Sequence, residues 1–585
     1  MPSVFLILPI HLFHHDILLD TINSHESVIT RMIILEEPAY FGNHYHTMNY
    51  NKLKLIYHRG TMQYYKNYIS KHLPSGMTLE YIEYKDLINS SARTGGYAKI
   101  KKGGGNIILY NPIDTFLEAK YKKLFGSKIE MLETPGFLCT SKDLATYDNS
   151  KATKNSYYHA SFYTWQRARM NILAGSKTYD TENRNMMPLN TKVPPLPAND
   201  SASGETRQYL EEAISYVQKN WPKNLEPVYV QQGIRTITPE SIHFPITHSS
   251  AEKWVHDFCK NRFALFGKYE DSIDSVPRNF LFHSCITPML NIGLITPQQV
   301  LDIVSGYYKA HTREIGIANY EGFIRQIIGW REYQRYIYQY AGEKMRAGNH
   351  FSNSRRVNDT WYLATTGIKP VDDAVRMALD DGYIHHILRL MVVGNFMNLV
   401  GIHPDDVYKW FMEFALDSYD WVMVGNVYSM ALWADGGLTM RKPYISGDGY
   451  IMKMSNYSSG GAGSASNRKT KKQRSKQVEQ VEQVEQGKQE EQGKQGKQGK
   501  QGEQGEQGEQ GKQGEQGKQE EQGKQNKKPN WNEEWNAVFH HFIDRNAIKL
   551  GRTYYAGLVR AWQKKPEGER EAELAIANKV ISRVS

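Results

Sequence analysis

Two adjacent histidines and an arginine stand in an otherwise apolar stretch, GYIHHILRLMVVGNFMNL (382–399). Helical spacing predicts one stripe that carries His386, Arg389 or Leu390, Val393 and Met397, with His385 beside it. Imidazole and guanidinium groups that face an interior are costly unless they are hydrogen-bonded or meet a ligand. The residues alone favour a hydrogen-bonded structural histidine pair and leave a ligand site open.

Two further helical segments bring polar groups into apolar, aromatic surroundings. The segment 321–338, EGFIRQIIGWREYQRYIY, contributes Glu321, Arg325, Gln326, Trp330, Arg331 and Arg335. The segment 417–438, DSYDWVMVGNVYSMALWADGGL, contributes Asp417, Asn426, Asp435 and paired glycines. So many polar groups in a helical core indicate the lining of a large cofactor with polar and aromatic parts.

The elements that must position these residues follow from hydropathy. Before the linker at 186–204, the runs VFLILP, VITRMIIL and KLKLIYH predict strands, and GTMQYYKNYISKHL predicts an amphipathic helix. The apolar start lacks a basic leader and a cleavage site, so we expect a buried strand there. We therefore predict an α/β domain over 1–135, a connector and linker over 136–204, and a helical domain over 205–457.

The segment 458–530 changes composition abruptly, to Ser, Gly and basic residues and then to VEQ, GKQ and GEQ triplets. It has too few apolar residues to offset the entropy of ordering, which predicts a disordered insert. We expect it to be a solvated spacer first and a nucleic-acid tether second. Helical periodicity resumes at 531–585, and these helices are expected to complete the helical domain.

The composition excludes several classes of protein. The chain has 585 residues and a net charge of +10, with 3 Cys that are widely spaced. A disulfide framework and a cysteine-ligated metal are therefore not expected. No P-loop, HExxH or GxSxG motif is present, and GGYAKIKKGGG (95–105) is interpreted as a surface loop. No apolar run spans a bilayer, so we expect a soluble intracellular protein, without assigning cytoplasm or nucleus, and favour a monomer.

Long motifs resemble one known family. FGKYEDSI, LFHSCITPMLNIGLITPQQV, DGYIHHILRLMVVGNFMNL and DWVMVGNVYSMALWADGGLTMRKPYISGDGYIMKMSNY, together with the 321–338 segment, are similar to the iron–sulfur bacterial cryptochrome and prokaryotic (6-4) photolyase family. Upstream, FYTWQRARMNILAGSKTYDTENRNMMP resembles that family's FYxxxRxxxxxLxxxxxPxGGxWxxDxENR signature. The likeness runs nearly end to end and is interrupted by the triplet segment.

The resemblance implies an α/β antenna-type domain, a large all-helical domain that binds FAD, and light-driven repair of UV-damaged DNA. Such a lyase flips the damaged dinucleotide out of the duplex. By this resemblance the candidates for flavin binding are Tyr269, Ser284, Thr287, Glu321, Gln326, Trp330, Arg331, Arg389, Asn395, Asp417, Asn426, Asp435 and Gly437.

Other roles also come from the resemblance. His385, His386 and Tyr444 match the groups that face the lesion, where a histidine can give a proton near neutral pH. Trp361 and Trp410 match electron-transfer aromatics, and an ordinary role as core aromatics stays open for both.

The chain departs from the family where the cluster cysteines belong. Those four positions fall near Lys369-Pro370, at Ser458 and Gly461, and at Glu533. Without thiolates a cluster has no ligands, so we predict no iron–sulfur cluster and no other metal centre.

Two more departures concern catalysis and the antenna. Met423 stands where the family is expected to have Glu. Glu36 and Glu37 keep only a loose likeness to the region that binds a lumazine-type antenna chromophore. Three functions therefore stay open: a (6-4)-type photolyase as the leading hypothesis, a cryptochrome-like blue-light photoreceptor without repair activity, and a scaffold that has lost flavin.

Overall fold

The computed structural model describes residues 2–88, 96–151, 153, 156–175, 177–181, 183–197, 202–276, 280–458 and 529–585. The predicted disordered insert, apart from its ends, lies outside the described residues. Gly461, one of the four cluster positions, lies outside them as well.

The N-terminal region is built on a parallel five-stranded sheet. Its strands are β1 (Ser3–Ile7), β2 (Ile29–Leu35), β3 (Thr78–Ile82), β4 (Ile107–Tyr110) and β5 (Ile129–Leu132), in the order β3-β2-β1-β4-β5. Every residue of β1 and β4 is buried, as expected of parallel strands covered on both faces. The strands predicted from VFLILP and VITRMIIL are confirmed. The strand order reverses between β1 and β4, the point at which such sheets bind ligands.

Two local predictions in this region are wrong. KLKLIYH is not a strand but the first half of the helix Lys52–Ser70, and the Asn51 side chain accepts a hydrogen bond from the Leu53 amide at 2.9 Å to cap it. Residues 52–62 are all buried, so the helix lacks the polar stripe that would have distinguished it from a buried strand. Part of the glycine-rich segment forms the helix Gly96–Lys101, with Tyr97 and Ile100 buried.

Helices make up most of the remaining chain. The α-helices span His15–Ser24, Lys52–Ser70, Tyr84–Ile88, Gly96–Lys101, Thr115–Phe125, Ser141–Ser150, His159–Met170, Arg207–Asn220, Val228–Gln231, His248–Asn261, Phe263–Phe266, Thr287–Ile292, Pro297–Ala310, Thr312–Ile324, Glu332–Arg346, Thr360–Leu363, Lys369–Asp381, Asn395–Val400, Pro404–Phe414, Asp420–Val424, Asp448–Met454, Trp531–Arg545, Ala547–Leu550, Ala556–Gln563 and Glu567–Val584. Short 3-10 turns span Pro38–Phe41, Gly126–Lys128, Gly204–Thr206 and Pro239–Ser241. No described helix is both long and apolar enough to cross a bilayer.

Three π-helical segments, Arg325–Arg331, Leu388–Gly394 and Gly425–Ala431, interrupt the helices that carry the polar motifs. π-helical turns are rare and occur frequently at functional sites. Their wider turn also changes which residues share a face, so the simple helical stripe predicted from His386 to Met397 does not hold through 388–394.

The helices after the triplet segment pack onto the helices before it. Trp535 is fully buried, and its Nε1 donates to the Ser446 carbonyl at 3.1 Å. Trp361 Nε1 donates to the Val584 carbonyl at 2.8 Å, close to the end of the chain. The residues 531–585 therefore share one core with the preceding helices.

Candidate active site

The two predicted histidines have different surroundings. His385 is buried and stacks on His283, with ring centroids 4.4 Å apart. His386 is exposed, at the first turn of the helix that continues into Leu388–Gly394. Desolvation and the nearby Arg389 nonetheless lower the pKa of His386 to about 4. The imidazole is therefore solvent-accessible, while the surrounding protein disfavours its charged form.

Arg389 and Asp417 form the centre of the site. Arg389 Nη1 lies 2.9 Å from Asp417 Oδ1, and Nη2 donates to Oδ2 at 3.1 Å. Thr287 donates its hydroxyl to the same Oδ2 at 2.5 Å. Arg389 therefore makes one hydrogen bond to Asp417, at Oδ2, and a close ionic contact to Oδ1. Three residues predicted to bind the cofactor thus meet, although they lie far apart in the chain.

Asn291 extends this network to Arg331. The Asn291 amide donates to the Asp417 carbonyl at 2.9 Å, and its side-chain oxygen accepts from Arg331. Arg331 also donates to the Gly136 carbonyl at 3.0 Å. Desolvation lowers the pKa of Arg331 to about 10, which leaves it charged at neutral pH. We name the residues Thr287, Asn291, Arg331, Arg389 and Asp417 the Arg389 network.

Glu321 belongs to a second network. Its fully buried carboxylate accepts from Arg167 at 3.2 Å, from the Thr178 hydroxyl at 3.3 Å, and from the backbone amides of Tyr179 and Asp180. These contacts hold the segment 178–180 against the helix Thr312–Ile324. In this structure Glu321 orders the wall of the site.

Gln326 donates to Glu270 Oε1 at 2.7 Å. Arg325 forms ion pairs with Asp180 and with Glu270, the latter at 3.6 Å. Desolvation raises the pKa of Glu270 to about 8, despite the opposing effect of Arg325. A carboxyl group in such surroundings is protonated over part of the neutral range and can then donate a hydrogen bond.

Trp330 presents its face to His159, with ring centroids 3.8 Å apart and planes 9° from parallel. His159 Nε2 is buried without a hydrogen-bond partner, and desolvation, with a smaller effect of Arg325, lowers its pKa to about 3. The neutral ring therefore completes an aromatic surface beside the π-helical segment Arg325–Arg331.

Asn395, Asp435 and Gly437 lie in ordered local contacts. Asn395 is buried and donates to the Ser446 hydroxyl at 2.9 Å. Asp435 accepts from the Gly437 amide at 3.0 Å. Gly437 has φ +103°, and a Cβ there would meet the Trp433 ring at 3.0 Å, so glycine is required.

Four other predicted residues lie outside the Arg389 network. Tyr269 packs in a separate apolar cluster with Leu281 and Phe282. Ser284 accepts a hydrogen bond from Trp254 on its carbonyl, at 2.8 Å. Asn426 donates to the Val422 carbonyl at 2.8 Å within its own helix, and Tyr444 is half-buried.

The two predicted electron-transfer tryptophans are fully buried and adjacent. Trp410 Nε1 donates to the Trp361 carbonyl at 3.1 Å. Trp361 also faces Phe396 at 6.3 Å between ring centroids, and Phe396 faces Trp535 at 4.9 Å. These contacts serve a packed core as well as they serve electron transfer, so the role of the pair stays a prediction.

The cluster positions that the structure describes make structural contacts. The Ser458 carbonyl accepts from Trp531 Nε1 at 3.2 Å. Glu533 pairs with Asn530 in a capping box that begins the helix Trp531–Arg545. Lys369-Pro370 begins the helix Lys369–Asp381.

The antenna residues are occupied by the protein itself. Glu36 accepts from Arg59 at 2.6 Å and from two tyrosine hydroxyls and one amide. Glu37 accepts from Lys120 at 2.5 Å, from Tyr121 at 2.6 Å and from Tyr97 at 3.0 Å. Protein donors thus satisfy both carboxylates, and a lumazine-type antenna chromophore stays a prediction.

The candidate residues include buried nitrogens that lack hydrogen-bond partners, and these test whether a flavin nucleotide fits. The buried nitrogens without a hydrogen-bond partner include both ring nitrogens of His385, Nε2 of His283, Nε2 of His159, and Nε of Arg325 and Arg331. Buried polar groups are normally satisfied, so each such atom needs an explanation. Phosphate and carbonyl oxygens of a flavin nucleotide would satisfy the arginine nitrogens and the single N–H of each neutral histidine, and the residues fit that group.

Sequence reasoning missed part of this arrangement. His283, Asn291 and His159 were not predicted, although His283 directly precedes Ser284 in the motif LFHSC. Arg325 was noted among the polar groups without a role. The sequence signal for His283 is its position next to the predicted Ser284. No comparable signal marks Asn291 or His159.

Comparison with known proteins agrees with the motifs. A family model described as deoxyribodipyrimidine photo-lyase-related protein matches residues 5–225. The chain is 27% identical over 457 residues to a (6-4) photolyase from Agrobacterium fabrum, which covers 75% of this chain and 83% of that protein. It is 45% identical over 114 residues to uncharacterized protein R853 of Acanthamoeba polyphaga mimivirus, which covers 20% of this chain and 85% of that protein.

Among solved structures, a bacterial class III photolyase from Agrobacterium tumefaciens matches with 16% identity and a TM-score of 0.43, over 73% of this chain and 79% of that chain. The family-model match covers the N-terminal region, and the match to the (6-4) photolyase extends over three quarters of the chain. The motif likeness and these two matches agree that the chain is similar to the prokaryotic (6-4) photolyase and cryptochrome family.

Proposed function

We propose that this protein is a light-driven DNA-repair flavoprotein that acts on a flipped-out pyrimidine (6-4) photoproduct. The relative with the longest match described above is a (6-4) photolyase, which supports this substrate class. Bound FAD in its reduced state would supply an electron to the lesion on excitation by blue light. The roles below belong to the protein's own side chains.

Arg331 and Arg389 would hold the cofactor's anionic and carbonyl oxygens. Both guanidinium groups are already oriented by Asn291 and Asp417, so binding costs little ordering of these long side chains. The free Nε of Arg331 supplies a further donor. Thr287 keeps the Asp417 carboxylate in position through its hydroxyl.

One observation above all supports repair chemistry: His386 remains exposed at the beginning of the helix that carries Arg389. With a pKa of about 4, the imidazole is neutral at pH 7 in the free protein and can donate one hydrogen bond. Phosphates of bound DNA would raise this pKa, because negative charge favours the protonated ring. His386 would then be able to give a proton to the lesion.

The same pKa also supports the second candidate, a blue-light photoreceptor without repair activity. A histidine that stays neutral is a poor proton donor. Met423, buried in the helix Asp420–Val424, supplies no carboxylate where the family is expected to have one. In this second function the excited flavin would not transfer an electron to a DNA lesion.

The test begins with the absorption spectrum of the purified protein, because a protein without flavin absorbance would contradict both candidates. Irradiated DNA is then incubated with the protein under blue light, and the (6-4) photoproduct is followed with an antibody. Light-dependent loss of the signal supports repair, and its persistence favours the photoreceptor. His386→Ala should abolish the loss while flavin stays bound. His256→Ala, at an exposed histidine in the helix His248–Asn261, is the matched control and should leave repair unchanged.

A further inference from the structure

A small polar cavity lies at the point where the strand order of the sheet reverses. Asp114 follows β4 by four residues, and Tyr40 and His44 follow β2. Ser418, Tyr419 and Asp420 close the cavity from the helical part of the chain. Open parallel sheets bind ligands in the crevice beyond the carboxyl ends of these strands. Here the crevice is reduced to about 10 Å³, room for a single water-sized occupant.

Three potential ligands converge in this cavity. One atom each of His44, Asp114 and Asp420 lie within 4.8 Å of one another. Their side chains are 2%, 6% and 0% exposed. Zinc binds imidazole nitrogen and carboxylate oxygen at about 2.0–2.2 Å, which sets ligand atoms up to about 4 Å apart. Small side-chain movements are enough to bring the three atoms to that spacing.

The cavity wall contains polar atoms that lack partners. Tyr40 Oη, His44 Nδ1, Ser418 Oγ and Tyr419 Oη are all buried without a hydrogen bond, and all four residues line the same cavity. Native proteins leave few buried polar atoms without a hydrogen bond, so four such atoms around one small cavity are unusual. They point to an occupant that the protein is built to hold.

Contacts outside the cavity orient the carboxylates of Asp114 and Asp420. Asp114 Oδ1 caps the helix Thr115–Phe125 by accepting from the Leu117 amide at 3.1 Å, which leaves Oδ2 facing His44. Asp420 accepts from the Tyr338 hydroxyl at 2.6 Å and pairs with Arg346. Metal ligands are typically oriented by such outer hydrogen bonds.

The two carboxylates of the cavity already face basic groups of the protein. Asp420 pairs with Arg346, and Asp114 pairs with His44 at 2.6 Å. Lys54 also lines the cavity, but its ammonium donates to the carbonyls of Met412 and Ser418, both at 2.9 Å. Burial lowers the pKa of Lys54 to about 7, so this group loses its proton readily when a cation binds nearby.

We infer that His44, Asp114 and Asp420 bind one divalent transition-metal ion of the Zn²⁺ class, which joins the α/β region to the helical region. The imidazole ligand selects against Mg²⁺ and Ca²⁺, which prefer oxygen ligands. The small volume also excludes the six to eight ligands that Ca²⁺ takes. The remaining coordination position would be filled by water or by a neighbouring hydroxyl.

A second group of potential metal ligands must be removed before metal binding is measured. His14, His15 and Asp16 also place ligand atoms within 4.8 Å of one another, at the surface. The background protein therefore carries His14→Gln and His15→Gln. This protein is stripped with a chelator and titrated with Co²⁺, whose visible absorption reports nitrogen and oxygen ligands.

We expect one equivalent of Co²⁺ to give the absorption band in the background protein and to raise its thermal midpoint. His44→Gln should abolish the band, and Asp114→Asn, which can keep the helix cap, should weaken it. His46→Gln, at an exposed histidine two residues away, should not change it. If the His44 variant does not fold, Zn²⁺ titration of the background protein decides by its stoichiometry and midpoint shift. No band and no shift in the background protein, or a band that persists without His44, would show that the cavity holds only water and would overturn the inference.

Discussion

His385 lies face to face with His283, with ring centroids 4.4 Å apart and ring planes 13° from parallel. Neither ring nitrogen of His385 has a hydrogen-bond partner, and Nε2 of His283 also lacks one. Desolvation lowers the pKa of His283 to about 4 and that of His385 well below its ordinary value of 6.5, with further lowering from the neighbouring histidines. Two neutral rings can stack closely in this way, whereas two charged rings would repel each other.

This pair predicts how stability depends on pH. The unfolded histidines take up protons near pH 6.5, while His283 and His385 stay neutral in the folded protein to lower pH. Between these values the unfolded chain binds more protons, so the free energy of unfolding falls as the pH is lowered from 6.5 towards 4. Each group costs at most about 1.4 kcal/mol per pH unit. Thermal midpoints measured from pH 7.5 to 5 will show the slope.

His283→Phe keeps an aromatic face against His385 and removes one titrating group, so it should flatten that slope. His256→Phe, at an exposed position, should leave the slope unchanged. A slope that is equal in the wild type and in His283→Phe would contradict this account of the stack.

The pair of Arg389 and Asp417 should behave as a buried ion pair. Arg389→Met leaves the Asp417 carboxylate buried with Thr287 as a remaining donor, and we expect a loss of about 3–5 kcal/mol in the free energy of unfolding. Adding Asp417→Asn should recover part of this loss, because the uncompensated charge is gone. Chemical denaturation of the two single variants and the double variant measures the coupling.

An exposed pair on a nearby helix serves as the reference. Lys369 and Asp373 are 59% and 27% exposed, and Lys369→Met should cost at most about 1 kcal/mol. If Arg389→Met costs no more than this reference, the Arg389 network does not have the role assigned to it.

DNA binding should be accompanied by proton uptake at His386. In the proposed complex, phosphates would raise the pKa of this imidazole from about 4 towards neutrality, so binding near pH 6 would draw in a proton. Calorimetric titration with UV-damaged DNA in two buffers of different ionisation enthalpy counts the protons. His386→Asn should reduce the uptake and His256→Asn should not, while equal uptake in all three proteins would place the titrating group elsewhere.

Removal of residues 459–528 should preserve the fold. The flanks of this segment touch, since Trp531 Nε1 donates to the Ser458 carbonyl at 3.2 Å, and a short Gly/Ser linker can span the join. The thermal midpoint should stay unchanged. Trp535→Ala in the same shortened chain removes a fully buried ring and should cost about 3–5 kcal/mol. A collapse of stability on deletion alone would mean that the removed segment contributes to the folded core.

Hydropathy and motifs alone predicted much of the architecture. The strands at VFLILP and VITRMIIL and most helices of the second half have a local period that reports their type. The same reasoning failed at KLKLIYH, because a helix buried on every side shows the same unbroken apolar run as a buried strand. Long motifs identified His386, Arg389, Asp417 and Thr287 as candidate site residues, and these motifs are also continuous stretches of sequence.

Tertiary structure alone decided how these residues meet. His283 reaches His385 across a hundred residues, and Asn291 links Arg331 to Asp417. The π-helical segments change which side chains share a helix face, so the observed faces differ from those that a regular helical period predicts. The neutral state of the histidines at pH 7 depends on desolvation by the whole surrounding fold, and the cavity at His44 depends on two distant parts of the chain. Periodicity is a property of neighbours in sequence, whereas pairing and burial are set by neighbours in space.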